Sequence, residues 1–177
     1  MSVRPALPGD LPRMLAIYGP YIENTTYSFE YTVPTPEEFA ARFAGITARY
    51  PWLVWEEDGT VLGYAYASPL HERAAYQWSA DVSIYLDPSA HRKGIGRALY
   101  TALEEILVSL GYFNTIAIIT EENSISRRFH ESMGYVRQMD LEQVGYKFGR
   151  WLNVSYYKKR LREGIPEMSP RPWNPAE

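Results

Sequence analysis

The chain has 177 residues, 46% of them hydrophobic, and a formal net charge of −3. This length and composition predict one globular domain with a sizeable core. With no long Lys/Arg run and no cysteine, the chain is not expected to bind nucleic acid, form disulfides or use a cysteine nucleophile. Three scattered histidines predict no metal site. The lack of a long apolar run or signal-peptide core predicts no membrane partner and a cytoplasmic location.

The first half of the chain is predicted to form a strand, two helices and a hairpin. Asp10 is a candidate N-cap for the first helix, and Thr35 with Glu38 forms a capping box before the second. Asp58-Gly59 has the composition of a type I′ hairpin turn. The expected elements are a strand at 2–6, helices at 10–23 and 35–49, and strands at 52–57 and 60–67.

The second half of the chain predicts a strand, a glycine loop and a helix, followed by more strands. Apolar residues recur at helical spacing from Ile95 to Leu110, and Gly111 ends the helix. From Gly164 onward there are four prolines in fourteen residues, so we expect a domain at 1–163 and a surface tail at 164–177. The expected elements are strands at 79–86, 113–119, 135–141 and 151–158, and helices at 95–110 and 123–133.

The loop at 87–97 carries glycines and positive charge at the start of a helix. Unpaired N–H groups and the positive end of the helix dipole favour an anion there, and glycines let it approach the backbone. The P-loop pattern requires Lys-Ser/Thr after its second glycine, and the dinucleotide fingerprint requires a third small residue. Neither is present. The charged residues and glycines of this loop are Arg92, Lys93, Gly94, Gly96 and Arg97.

This loop resembles the Q/R-x-x-G-x-G/A pyrophosphate loop of the GCN5-related N-acetyltransferases (GNAT), with His91 in the Gln/Arg position. The segment 123–135 resembles the second GNAT signature, N-x-x-A-x-x-(L/F)-(Y/H)-x-x-x-G-(F/Y). The resemblance implies an α/β (α+β) GNAT fold: a mixed, mostly antiparallel sheet of about seven strands with about four helices, splayed around acetyl-CoA. The residues that it assigns to acetyl-CoA are Ile84, Tyr85, Leu86, Arg92, Lys93, Gly94, Ile95, Gly96, Arg97 and Asn123.

The resemblance extends to the phosphinothricin N-acetyltransferase subfamily, from about residue 3 to 161. It rests on the segments 49–54, 63–67, 73–81 and 145–151, and implies acetylation of a small amino-acid-like amine by a homodimer. It places Phe29, Arg73 and Tyr76 in the amine site. His71 and Glu30 stand where relatives carry Lys and Arg. Both changes reduce positive charge, so methionine sulfoximine, methionine sulfone or ordinary amino acids are alternatives to phosphinothricin.

Two residues are candidates for proton transfer. Asp81 matches a Glu that relatives use as general base, and its shorter side chain suggests a relaying water. A structural Asp bonded to a backbone N–H is the competing interpretation. His130 occupies the position of a Tyr that protonates the CoA thiolate in many GNAT enzymes. For His130 we keep two roles open, acid and packing residue. Asn123 has a capping role as well as a cofactor role.

Two alternative functions stay open at this point. The acceptor could be another small amine, a polyamine or a protein N-terminus, although Arg73 would repel a polycation. The chain could also be a non-catalytic sensor of acyl-CoA. Replacing Asp81 by Asn distinguishes these interpretations, because a sensor does not need a base.

Overall fold

The computed structural model describes residues 2–91 and 93–175. Within them, seven strands form one sheet in the order β1-β2-β3-β4-β5-β7-β6. Only β4 and β5 are parallel neighbours. The strands are β1 (Ser2–Pro5), β2 (Trp52–Glu57), β3 (Thr60–Pro69), β4 (Ser79–Leu86), β5 (Asn114–Thr120), β6 (Val136–Lys147) and β7 (Arg150–Arg160). The α-helices are α1 (Leu11–Asn24), α2 (Pro36–Thr47), α3 (Ile95–Leu110) and α4 (Ser124–Ser132). The predicted fold class is confirmed.

Local sequence chemistry explains where two of the helices begin or end. At α2, Thr35 Oγ1 accepts from the Glu38 N–H, and the Glu38 carboxylate accepts from the Thr35 N–H. Gly111 ends α3 with a φ of 99°, in the left-handed region that glycine tolerates. Asp10 stands at the start of α1, but its carboxylate accepts from Leu7 N–H and Arg4. The expected side-chain cap is therefore replaced by an ion pair.

The helices cover the sheet in two layers. On one face, α3 packs against β1, β2 and β3, and its residues Leu99 and Leu103 are fully buried. On the other face, α1 and α2 pack against β2 and β3, and Phe39 and Phe43 contact the Trp52 ring edge-on. The two cores therefore lie on opposite faces of the sheet.

The C-terminal region contains one strand that is longer than expected and the predicted tail. β6 continues six residues past the predicted end at 141, to Lys147, because Gln143 adopts a φ of 51° and the ladder with β7 resumes after an irregularity. Over its described residues, 164–175, the predicted tail forms no helix or strand. Its Trp173 N–H donates to Arg49 C=O and its Arg171 N–H donates to Leu110 C=O, both at 2.9 Å. These two hydrogen bonds hold the tail against the rest of the protein.

Candidate active site

The sheet opens between its two parallel strands, β4 and β5. Only three residue pairs join them, and the last is Asp81 with Ile116. Beyond that pair β4 continues to Leu86 and β5 to Thr120 without pairing to each other. The facing edges of both strands are therefore free of ladder hydrogen bonds, and their backbone groups are available to a ligand.

The direction of the β4 backbone groups follows from its pairing with β3. The Asp87 N–H donates to the Leu62 carbonyl at 2.9 Å, and the β3–β4 register is regular. Backbone groups alternate in direction along such a ladder. The N–H of Tyr85 therefore faces β3, and those of Ile84 and Leu86 face the opening. These two are the predicted cofactor residues whose N–H groups point into it.

A cavity of about 70 Å³ lies in this opening and passes through the sheet. Tyr21 and Tyr27 line it on the α1 side, and Tyr100 and His130 line it on the side of α3 and α4. The Tyr21 hydroxyl donates to the Leu86 carbonyl at 2.7 Å. A ligand in the opening can therefore meet residues from both layers.

The predicted glycine loop lies at the N-terminus of α3. Gly94 has a φ of 79° and directly precedes the helix, and a Cβ there would point into open space. Lys93 and Arg97 are exposed beside it, near the unpaired N–H groups of the first helical turn. Arg92 lies outside the described residues. Open space, free N–H groups and two cations fit a pyrophosphate.

The next two residues fix the start of α3. Ile95 is 2% exposed, so only its backbone can face a ligand. A Cβ on Gly96 would lie 3.2 Å from the Phe129 ring and 3.4 Å from Ile84. Gly96 therefore lets α3 begin close to both β4 and α4.

We expect Gly94→Ala to weaken acetyl-CoA binding about tenfold, because the new methyl group occupies the space beside the helix N-terminus. The positive φ costs about 1 kcal/mol of stability. Calorimetric titration with acetyl-CoA measures the affinity. Gly59→Ala is the matched control, since Gly59 also has a positive φ and open space but lies in the β2–β3 turn. Equal affinity in the two variants would contradict the phosphate-loop assignment.

Asp81 stands at the last paired position before the opening. It shares a sheet face with Tyr85, because side chains alternate along a strand. The Tyr85 ring contacts Tyr18 of α1 with 4.6 Å between centroids, so Asp81 faces the α1 side. Burial raises the pKa of Asp81 to about 7, against the opposing effect of the Val82 N–H. A carboxyl group with this pKa can accept and return a proton near neutral pH.

His130 lies on α4 and is buried against α3. Its Nε2 lies 2.9 Å from the Tyr100 hydroxyl and its Nδ1 lies 2.8 Å from the Ser126 carbonyl. Burial lowers the pKa of His130 to about 4, so the ring is neutral at pH 7. With the Nδ1 proton donated to the carbonyl, Nε2 accepts from Tyr100 and has no proton to give. Of the two roles left open, this geometry favours packing.

Asn123 stands between the end of β5 and α4. Its Oδ1 accepts from the Ser126 N–H at 3.0 Å, which is the capping bond expected at a helix start. The residue also lines the cavity. Among the described residues, no hydrogen-bond partner is found for its side-chain NH₂ group, which leaves that group for a ligand.

The predicted acceptor residues lie on two separate segments. Arg73 and Tyr76 are exposed on the connection between β3 and β4, where the Tyr76 ring contacts His71 at 4.7 Å. Phe29 lies after α1, with its ring against Gly145. Within residues 2–91 and 93–175, no hydrogen bond, ion pair or ring contact joins Arg73 or Tyr76 to Phe29 or Asp81. Their role in binding the acceptor stays a prediction.

An ion pair beside Phe29 escaped sequence analysis. Arg42 Nη1 donates to the Glu30 carboxylate at 3.1 Å, with a second contact through Nη2, and the Tyr18 hydroxyl also donates to it. Burial tends to raise the pKa of Glu30, but these bonds lower it below its usual value. The negative charge expected from Glu30 is thus balanced by Arg42. The partners are twelve residues apart and on different segments, so no local pattern indicates the pair.

Other parts of the described chain add no second site. An open groove of about 530 Å³ lies between α3 and the end of β7, where Lys159 and Glu104 pair with each other at 2.6 Å. In residues 2–91 and 93–175, no cluster of three or more His, Asp or Glu side chains is arranged to hold a metal. No helix there has the length and apolar character needed to span a membrane. The cytoplasmic location stays a prediction.

Comparison with known proteins identifies the family. The acetyltransferase (GNAT) family profile matches residues 21–135. A phosphinothricin N-acetyltransferase of Streptomyces viridochromogenes is 35% identical over 99% of this chain and 94% of its own. An L-methionine sulfoximine/L-methionine sulfone acetyltransferase of Salmonella typhimurium is 32% identical over 92% of this chain and 96% of its own.

Solved structures agree with the sequence comparison. A GNAT superfamily phosphinothricin acetyltransferase from Sinorhizobium meliloti, in complex with acetyl-CoA, superimposes with a TM-score of 0.89. It is 37% identical, and the match covers 96% of this chain and 92% of that one. The chain belongs to the GNAT family. It is an N-acetyltransferase that uses acetyl-CoA.

Proposed function

We propose that the enzyme acetylates the free amino group of a small amino-acid-like molecule of the phosphinothricin, methionine sulfoximine or methionine sulfone type. The observation that carries this proposal is the half-buried carboxyl group of Asp81, which has a pKa of about 7 and stands where the sheet opens. The names of the relatives supply the acceptor class.

Acetyl-CoA supplies the acetyl group as a thioester, and its sulfur takes up one proton when it leaves. The residues assigned to hold it are Lys93, Gly94, Gly96 and Arg97 at the pyrophosphate, and Ile84, Leu86 and Asn123 along the opening. The N–H groups of Ile84 and Leu86 face the opening, and in this proposal they donate to the thioester oxygen as negative charge develops on it. Preorganised donors of this kind contribute factors of about 10²–10³ each.

Asp81 has the role of proton carrier in this proposal. An acceptor ammonium first loses one proton to solvent, and a second proton leaves its nitrogen as the amide bond forms. Asp81 accepts that second proton, directly or through one water, and releases it toward the leaving sulfur. Its pKa of about 7 lies close to the working pH, so the group can both take and give the proton.

The proposal is tested by measuring CoA release with a thiol reagent. The candidate acceptors are phosphinothricin, methionine sulfoximine, methionine sulfone and the common amino acids. We expect saturable turnover with at least one of them. Turnover only with polyamines or peptide N-termini would move the acceptor to another class. Binding of acetyl-CoA without turnover on any amine would favour the sensor alternative.

We also propose a homodimer formed through β6 and β7. The sheet face that carries Asp81 is covered by α1 and α2 only over its first half. On the second half, Ile118 of β5 and Val136 and Met139 of β6 are 44%, 62% and 48% exposed, and β5 and β6 flank β7 in the sheet. Light scattering is expected to give twice the monomer mass for the wild type, and a lower mass for Met139→Glu. A wild-type monomer would contradict this arrangement.

A further inference from the structure

A buried lysine lies at the tip of the β6–β7 hairpin, outside the opening. Lys147 is the last residue of β6, and its side chain is 4% exposed. Its Nζ donates to the carbonyls of Ile22 and Ser28 at 2.7 Å and of Thr25 at 2.9 Å. An ammonium group has three donors, so these three bonds use its full capacity.

The electrostatics explain why this cation tolerates burial. Burial lowers the pKa of Lys147, while the charge of Glu30 acts in the opposite direction. None of its three hydrogen-bond partners is a carboxylate. Ile22 belongs to the last turn of α1, and the end of a helix carries partial negative charge. The carbonyl groups of Thr25 and Ser28 complete the coordination.

The three carbonyl groups belong to a segment that enters the active site. We define residues 25–31 as the acceptor loop, because Tyr27 lines the cavity and Phe29 is a predicted acceptor residue. Ile22 and Ser28 are six residues apart, so a single ammonium group fixes the path of the chain from α1 into the loop.

Other contacts fasten the same loop to the same hairpin. The Phe29 ring packs against Gly145, where a Cβ would overlap it. The Tyr31 hydroxyl donates to the Tyr146 carbonyl. The loop therefore rests on the hairpin, with Lys147 as its buried centre.

We propose that Lys147 is a positioning residue that holds the acceptor loop in place and thereby sets the affinity for the amine. This inference rests on the proposed function. Lys147 does not line the opening, and its bonds run to α1 and the loop rather than to α3 or α4. Its removal therefore affects acceptor binding and leaves acetyl-CoA binding unchanged.

The test is Lys147→Met, which removes the ammonium and keeps the side-chain length. We expect the acceptor KM to rise about tenfold or more, the factor associated with losing a charged hydrogen bond. The KM for acetyl-CoA should stay within about twofold. Hydrogen exchange should increase at residues 25–31 but not at 93–97. Lys159→Met is the matched control, since Lys159 is a partly buried lysine paired with Glu104.

The outcomes separate positioning from stability and from the proposed function. If Lys147→Met is active and the ratio of its acceptor KM to its acetyl-CoA KM is the same as in the wild type, the positioning role is overturned. If the variant does not fold, Tyr31→Phe removes an exposed loop–hairpin bond, and an unchanged acceptor KM there also overturns it. A wild type without turnover on any tested amine overturns the proposed function and this role together.

Discussion

Replacing Asp81 by Asn is expected to slow acetyl transfer by about 10²–10⁴-fold, the range contributed by a positioned general base. The amide cannot accept the proton that leaves the acceptor nitrogen, but it has nearly the same size. The affinity for acetyl-CoA should be retained, because the loop at α3 is untouched. Steady-state CoA release measures kcat for acetyl transfer, and calorimetry measures the Kd for acetyl-CoA.

Two further variants control this result. Asp81→Glu keeps a carboxylate and should retain most of the turnover. Asp140→Asn removes an exposed carboxylate paired with Arg137 at 2.6 Å and should leave kcat unchanged. Full turnover in Asp81→Asn would show that Asp81 is a structural residue.

Asp81→Asn is also expected to stabilise the folded protein at alkaline pH. Burial raises the pKa of Asp81 from 3.8 to about 7, so the folded state retains a proton that the unfolded chain releases between these values. The stability supplied by the neutral form is complete below pH 3.8 and is lost as the pH rises through 7. The asparagine side chain does not ionise, so the variant loses no stability in this way. At pH 8.5 the advantage of Asp81→Asn is about 4 kcal/mol, or about 8–16 °C in Tm.

Thermal unfolding at pH 5.0 and pH 8.5 measures this effect. The Tm of Asp81→Asn minus that of the wild type should be larger at the higher pH. Asp140 provides a control of opposite sign, since hydrogen bonds from Ser155 and Arg137 lower its pKa. Asp140→Asn should therefore bring no gain at high pH. A Tm difference for Asp81→Asn that does not change with pH would show that the carboxyl group titrates normally.

Local sequence patterns were sufficient to predict the elements to which we assign the cofactor. The helical spacing from Ile95 to Leu110 and the terminating Gly111 predicted a helix in this segment, and α3 spans Ile95–Leu110. The Asp58-Gly59 turn also formed as expected, with φ of 49° and 74°. Each of these features depends on a few neighbouring residues, whose conformational preferences agree with the final fold.

The acceptor side depends on contacts between distant segments. Lys147 meets carbonyl groups 119 to 125 residues earlier in the chain, and Arg42 meets Glu30 across two segments. Packing of distant segments brings such partners together, and no local sequence pattern predicts the contact. The irregularity at Gln143 likewise extends β6 and brings Lys147 into place. His130 shows the same limitation, because its neutral state follows from burial against Tyr100.

The pH dependence of wild-type kcat, at saturating acetyl-CoA and acceptor, tests the central claim most directly. If Asp81 carries the proton, the rate should rise with pH and reach half of its plateau near pH 7, because kcat reports the ionisation of the bound enzyme. A rate that stays constant between about pH 5.5 and 8.5 would contradict the assignment of Asp81 as the base.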